Sequence, residues 1–479
     1  MLDLALIRSE PARVKAALGR RGVPAETVDA VADLDRRWSA RGDVRQALGT
    51  RRRQIADEVA RRRSAGTGTQ PAVSASADCD LVRAGREVGR DLRAVEKEMA
   101  GLAAERDAAL LILPNLPATD VPDAPPALDP SGPVWQKSFP PLAHWDLLEM
   151  LRLSVPAGAP AGSGFLLWRG AGARLVRGLV RLMLDVHASD GREEVLAPPV
   201  AARQALEGSA HLPLLEGKMY RVVKAGEASR DREVAGTSDA RQTAHSAHGY
   251  PRPYGRGSNG GAAGAAPAHD LFLAPRAEPH LAALHAREIL DVGALPHRLV
   301  AAATALRRES HGGGSAGRGL LRLHAFPTVE VYTFCLPAES DAELERAVAS
   351  AETILARLGV PYRRRLRAAG DLSHAAARTV SLDVWSPGLP AAEGRPDDRG
   401  RWLEVAALSS FTDYQARRTD ARFRDAGGRA RLVHTVGGAA VAQPRLIAAL
   451  LEMGQEADGS VRLPPALAEY VGTDVLAVP

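Results

Sequence analysis

The stretch Leu306-Arg307-Arg308-Glu309, then Gly312-Gly313-Gly314-Ser315-Ala316-Gly317-Arg318-Gly319, then Leu320-Leu321-Arg322-Leu323-His324-Ala325-Phe326 decides how this chain is read. A basic run, a glycine-rich turn and a second basic run ending on an aromatic predict strand, flexible loop, strand. Arginines on one side of such a hairpin concentrate positive charge for a polyphosphate, because guanidinium pairs bidentately with phosphate oxygens. Phe326 adds a flat ring on which a base can stack. Taken alone, the same segment also describes an ordinary hairpin with an exposed charged face.

Outward from this segment, short β-type runs (Gly164–Trp168, Asp270–Leu273, Thr328–Tyr332, Ser381–Trp385) alternate with helical patterns at Ala173–His187, Ala338–Leu358 and Arg445–Met453. Separated strands and helices predict an α+β catalytic-type domain on an antiparallel sheet. Two stretches interrupt it. Residues 224–269 are rich in Gly, Ala, Ser and His without apolar periodicity, so a disordered or lid-like insertion is expected there. Leu389 to Arg401 is charged and carries Pro390, Gly394, Pro396 and Gly400, a smaller interruption. His245 and His248 have a zinc-compatible spacing but no nearby Cys or further His, so no metal site is assigned to them.

Toward the N-terminus the pattern becomes purely helical. Leu2, Leu4, Leu6, Ile7, Val14 and Leu18 make a short helical unit over 1–22, and a longer helix runs from Ala25 to Arg63. Ser64 to Ala77 breaks it; a second polar helix follows from Asp80 to Leu111, with Leu92, Val95, Met99, Leu102 and Ala109 near an a/d repeat. The pair predicts an antiparallel helical hairpin, a coiled coil projecting into solvent. Two triplets near its tip, Arg51, Arg52, Arg53 and Arg61, Arg62, Arg63, suit an RNA backbone. A spacer or dimerisation arm with a solvated charged face is the other reading. Pro114, Pro117, Pro122, Pro125 and Pro126 mark a linker, giving a hairpin over 1–111, a Pro-rich linker over 112–142 and a catalytic domain over 143–479.

Composition bounds these readings. A chain of 479 residues holds two or three domains. With 45% hydrophobic and 25% charged residues it reads as globular, and no run approaches the ~18 apolar residues of a membrane span. Met1-Leu2-Asp3-Leu4 has no basic region leading to an apolar one, so a cytoplasmic protein starting at Met1 is expected. Cys79 and Cys335 exclude a disulfide framework or a four-cysteine zinc site, and both are read as passive. The net charge of +5 and a pI near 9.4 hint at an acidic partner.

Along nearly its whole length the chain resembles the seryl-tRNA synthetase family of class II aminoacyl-tRNA synthetases. The resemblance runs in order through Met1-Leu2-Asp3-Leu4 with Ile7-Arg8, Ile112-Leu113-Pro114-Asn115-Leu116-Pro117, and His144-Trp145-Asp146-Leu147. Met183 to His187 with Glu194 to Pro199 resembles the first class II motif, and Leu306 to Phe326 the second. Gln415-Ala416-Arg417-Arg418, His434-Thr435 and Gly437 to Glu452 resemble the domain's end and the third motif. The resemblance implies activation of serine or a related small amino acid by ATP, with Mg2+, and transfer to tRNA, here tRNA for serine, by a homodimer whose hairpin holds the tRNA. Carried over, Arg307 holds the α-phosphate and substrate carboxylate, Glu309 meets the adenine amino group, Phe326 stacks on adenine, Glu404 helps hold magnesium, and Arg445 faces the γ-phosphate. Arg307 and Arg445 are therefore the catalytic candidates; Arg276, Glu278, Glu330 and Ala439 line the amino-acid end.

That end departs from the family. Thr-Ala-Glu is replaced by Arg276-Ala277-Glu278, Asn-Gly-Ser by Gly437-Gly438-Ala439, and Ser-Ser-Cys-Ser-Asn by Ala406-Ala407-Leu408-Ser409-Ser410. Three functions stay open on this pattern: a divergent seryl-tRNA synthetase, a paralogue activating another amino acid for a non-tRNA acceptor, or a non-catalytic binding or regulatory protein. A buried unpaired cation is costly, so Arg276 is expected to pair with Glu278 or Glu330, unless it faces an acidic substrate or snorkels outward.

Overall fold

The computed structural model describes residues 1–65, 74–126, 136–156, 161–162, 164–223, 270–309, 318–390 and 399–479. The expected insertion at 224–269, with His245 and His248, and the glycine turn at 310–317 lie outside the described residues.

The hairpin is present as α1 (Ala25–Ala65) and α2 (Ser74–Leu111). At ~1.5 Å per residue α1 runs roughly 60 Å. α2 begins at Ser74 rather than Asp80, since the Ser and Ala read as helix breakers are tolerable helix residues. The seam between them is narrow: Val88, Met99 and Leu102 are buried. Its base is tied by charge, with Arg8 at 2.6 Å and Arg106 at 3.2 Å converging on the buried Asp35. The linker's first residues are packed down. Buried Asn115 donates from Nδ2 to the Ala375 and Phe411 carbonyls at 2.9 and 2.8 Å, and Arg21 donates to the carbonyls of Asn115 and Leu372 at 2.6 and 2.9 Å.

The catalytic-type domain is a seven-stranded sheet. Its strands are β1 (Glu193–Glu194), β2 (His297–Leu306), β3 (Ala325–Cys335), β4 (Tyr362–Leu366), β5 (Arg378–Pro390), β6 (Arg399–Thr412) and β7 (His434–Val441). They lie in the order β4-β5-β6-β7-β3-β2-β1, antiparallel throughout except β1 with β2. Alternation along the strands divides the faces. Val329, Val331, Val380, Leu382, Val384 and Val405 join one core cluster with α3 (Ala171–Ser189), α4 (Ser340–Arg357) and α5 (Gln443–Gly454). Thr328, Glu330, Thr379, Ser381, Asp383 and Glu404 alternate with them and so point to the other side. No helix among the described residues is long and apolar enough to cross a membrane.

Two expectations change. The segment 306–326 is not strand, loop, strand: the ladder ends at the pair Leu306 and Ala325, so Arg307 to Glu309 and Leu320 to His324 are loop shoulders. Beyond it Arg307 N still reaches across to the His324 carbonyl at 2.8 Å, but then the backbone donors turn elsewhere, Arg308 N to the Lys218 carbonyl at 2.9 Å and Glu309 N to His324 Nδ1 at 3.1 Å. Leu389 to Arg401 is not wholly an interruption either, because β5 reaches Pro390 and β6 starts at Arg399. Gly400 permits this at φ +103, since a Cβ there would meet the Trp385 ring at 2.1 Å. Residues 391–398 lie outside the described residues.

One buried carboxylate holds the domain's parts in register. Glu452 Oε1 accepts from His144 Nδ1 at 2.8 Å and His144 N at 2.9 Å; Oε2 accepts from Ser386 Oγ at 2.5 Å and Gly388 N at 2.9 Å. His144 Nε2 in turn accepts Leu320 N at 3.1 Å, so α5, β5 and the second loop shoulder share one network. Glu452→Ala is expected to cost about 3–5 kcal/mol, because it strips a fully buried imidazole and three other donors of their acceptor. Denaturant unfolding checks this, and a loss under about 1 kcal/mol would show the network to be dispensable.

Candidate active site

The polar face of the sheet, with both loop shoulders, bounds a cavity of about 510 Å³. Its lining cations are Lys218, Arg276, Arg307, Arg322, Arg367 and Arg445, against three lining acids, Glu278, Glu309 and Glu404. A larger cavity of about 660 Å³ sits where the arm meets the core, but Ala100, Ala103, Ala104 and Met99 make much of its wall.

The first loop shoulder is held rigidly. Arg307 N donates to the His324 carbonyl at 2.8 Å, Tyr220 Oη lies 3.2 Å from His324 Nδ1, and Phe165 stacks on the imidazole at 5.2 Å. This sets Arg307 over the Phe326 ring at 5.7 Å, with its Nε donating to the Pro275 carbonyl at 3.3 Å. Burial, then repulsion from Arg276, brings the Arg307 guanidinium down to about 10, so it stays charged at neutral pH yet is poorly solvated. Arg445 is likewise lowered by burial, and among the described residues its Nη1 donates to the Glu404 carbonyl at 2.8 Å. Two desolvated cations sharing a cavity with an aromatic ring are what a nucleotide's phosphates and base require. Glu309 shares the lining with them.

Glu404 is placed differently from an open metal ligand. Its Oε2 accepts from Arg365 at 2.8 Å and from Ser381 Oγ at 2.9 Å, and its Oε1 accepts from Arg367 at 2.5 Å. Burial pushes its carboxyl up, but Arg367 and Arg365 outweigh burial and hold it below the usual range. A carboxylate already serving two guanidinium groups, beside Ala406 and Ala407, does not fit a resident divalent cation. Among the described residues no cluster of three or more His, Cys, Asp or Glu side chains is placed to hold one.

The amino-acid end bears out the expected ion pair, and doubles it. Arg276 Nε donates to Glu330 at 2.8 Å and its Nη1 to Glu278 at 3.1 Å. Ala439 lies on β7 in register with Glu330 on β3 and Ala407 on β6, and lines the cavity. Gly437 is not simply a lost polar side chain: a Cβ there would meet Tyr332 Cδ2 and the Val331 carbonyl, both at 2.8 Å, so asparagine does not fit on this backbone. The arm arginines are not part of this cavity. Arg51, Arg52, Arg53, Arg61 and Arg62 are exposed, the last two bridging to Glu58 at 2.8 and 2.7 Å, and the Arg63 side chain lies outside the described residues.

Sequence reasoning missed Arg365, Arg367 and Ser381 as partners of Glu404, and Gln415, which donates to Glu278 at 2.9 Å. A signal was present for the first two. Arg363, Arg365 and Arg367 recur at period two, and the register sets Arg363 against Asp383 and Arg365 against Ser381. Cys335 is buried, and burial pushes its thiol up to about 12, as a passive cysteine requires.

Fold and cavity define the class, a class II aminoacyl-tRNA synthetase, and residues 265–454 match the family described as tRNA synthetase class II core domain (G, H, P, S and T). Residues 1–117 match the Seryl-tRNA synthetase N-terminal domain. The chain is 36% identical to a serine-tRNA ligase of Gemmatimonas aurantiaca, with 100% of each chain covered, and 34% identical to one of Roseiflexus sp., with 98% of each covered. The structure of seryl-tRNA synthetase from Pyrococcus horikoshii complexed with ATP superposes at a TM-score of 0.80, with 28% identity and 100% of both chains covered. The chain belongs to the seryl-tRNA synthetase family.

Arg307→Ala and Phe326→Ala are each expected to weaken ATP binding about tenfold or more, through a lost charge-assisted bond and a lost stacking surface. Calorimetric titration of ATP into folded variants measures it, and unchanged affinity for both would remove the nucleotide from this cavity.

Proposed function

We propose that the chain is an ATP-dependent serine-tRNA ligase. The observation that carries this is the pair of half-buried, weakly partnered cations Arg307 and Arg445 lining one cavity with Phe326, in a chain whose whole length matches serine-tRNA ligases. The serine carboxylate oxygen attacks the α-phosphorus of ATP, the bond to the β-phosphate oxygen breaks, and pyrophosphate leaves. A terminal ribose hydroxyl of tRNA then attacks the acyl carbon, the mixed anhydride breaks, and AMP leaves with the ester formed. Positioning and charge neutralisation suffice for both steps.

Arg307 meets the α-phosphate and substrate carboxylate, Glu309 the adenine amino group, Phe326 the adenine face and Arg445 the γ-phosphate side. Glu404 acts here by fixing Arg367 at the cavity wall, with Arg365 bonded to the same carboxylate. Magnesium, in this reading, travels on the nucleotide's phosphates and not in a protein cage. The division into an arm over 1–111, a linker over 112–142 and a catalytic domain over 143–479 follows the same assignment. The arm holds tRNA for serine by its backbone, with Arg51, Arg52, Arg53, Arg61, Arg62 and Arg63 at the contact. A homodimer forms through the free edge beside β1, where Leu196 is 91% exposed. The protein works in the cytoplasm, where tRNA and ATP meet.

Serine-dependent exchange of pyrophosphate into ATP and acylation of tRNA for serine are the direct assays; exchange absent at saturating serine would refute the assignment. Replacing the six arm arginines by alanine should weaken tRNA binding and flatten its salt dependence, with adenylate formation unaffected. An unchanged salt slope would leave the arm as a spacer. Light scattering at micromolar concentration should give a dimer, and a clean monomer would contradict it.

A further inference from the structure

Gln415 is shut off from the cavity, yet it bonds directly to an acid that lines it. It is fully buried on the short helix Tyr414–Thr419, and its Nε2 donates to Glu278 Oε1 at 2.9 Å and to the Ser209 carbonyl at 3.1 Å. Its Oε1 accepts from Tyr332 Oη at 2.7 Å and from Thr435 Oγ1 at 3.3 Å. Both donors and both acceptor positions of the amide are thereby in use. The amide has one orientation, since turned over it would set its oxygen against a carboxylate and a carbonyl, neither of which donates. Its helix is anchored as well: Tyr414 Oη donates to the Leu113 carbonyl at 2.6 Å, and Arg418 donates to the Leu111 and Glu207 carbonyls at 2.8 and 2.9 Å.

We propose that Gln415 is a positioning residue for the substrate's α-ammonium group, which it serves by holding Glu278 in one orientation. The inference rests on the assignment of this cavity as the site of serine activation. Glu278 and Glu330 against the single guanidinium of Arg276 leave one net negative charge at that end, which attracts an entering ammonium. Glu278 lines the cavity, whereas Gln415 sits behind it and reaches the substrate through that carboxylate. Arg276 Nη1 holds the other oxygen, Glu278 Oε2, at 3.1 Å, so a donor on each oxygen fixes the plane of the carboxylate. Glu278 N donates to Glu330 Oε2 at 2.8 Å, which ties the second acid to the first. Without the amide the Glu278 carboxylate pivots about its Arg276 bond, and the ammonium loses a preset acceptor.

The test uses two stable adenylate mimics on the full chain: seryl sulfamoyl-adenosine, and the same compound with hydrogen in place of the α-amine. Calorimetry on the wild type should show the amine bound about thirtyfold tighter or more. Gln415→Met, which keeps length without hydrogen bonds, should cut that preference about tenfold. Affinity for the compound without the amine, and for ATP, should stay as in the wild type, a split that a loosened fold does not give. Glu278→Gln should lose the preference too, and adding Gln415→Met to it should lower it no further, because the two side chains act as a unit. A wild type that binds both mimics alike, or neither, overturns the proposal. So does a folded Gln415→Met that keeps the full preference or weakens both mimics equally. If the methionine variant does not fold, Gln415→Asn, one methylene short of Glu278, is read the same way. Serine-dependent pyrophosphate exchange is a separate readout: its absence, with these ratios as expected, refutes the serine ligase assignment and leaves the role of Gln415 standing.

Discussion

A charge taken out of water must be paired, and the polar face of the seven-stranded sheet is organised by that requirement. Asp383 is shared by Arg363 and Arg365, Glu404 by Arg365 and Arg367, and Glu278 with Glu330 by Arg276. Beside these matched groups, Arg307 and Arg445 have, among the described residues, a carbonyl hydrogen bond each and no carboxylate. The unmatched cations face the same cavity as Phe326. On the proposed function, the nucleotide's phosphates meet these two cations.

The same rule explains why the site stays in place. Glu452, buried on α5, gathers donors from the helix start at His144, from Ser386 and Gly388 on β5, and through His144 from Leu320. The loop shoulder that feeds Phe326 into β3 is thus fixed to the helix layer behind the sheet. On the other side Asn115 and Arg21 pin the linker to the carbonyls of 372–376, so the arm is attached to the catalytic domain through a packed joint.

Much of this was legible in the sequence. The near-heptad spacing of Leu92, Val95, Met99 and Leu102 marked the hairpin, and α3, α4 and α5 fell within a few residues of their expected spans. Local patterns report local structure, and these elements are local. Four features resisted. The loop shoulders of 307–309 and 320–324 have the composition of strand ends, and the ladder ends where Arg308 N turns to the Lys218 carbonyl and Glu309 N to the His324 side chain. Leu389 and Pro390 read as a break because proline and glycine dominate there, whereas the Trp385 and Trp402 rings, 5.4 Å apart, hold the long strands together. The pairing of Arg276 with an acid was expected from the resemblance, but that it takes both acids, Glu330 lying 54 positions away, is beyond any window of pattern. Gly437 looked like a deleted side chain until Tyr332 was found filling its place.

The central claim is that the polar sheet face is internally charge-balanced apart from the cations that receive phosphate. A crystal structure of the chain with magnesium and a non-hydrolysable ATP analogue tests it most directly. The account predicts adenine on Phe326, phosphates against Arg307 and Arg445, and Arg276 still bonded to Glu278 and Glu330. Phosphates bound away from Arg307 and Arg445, or a phosphate drawing Arg276 off its two acids, would contradict it.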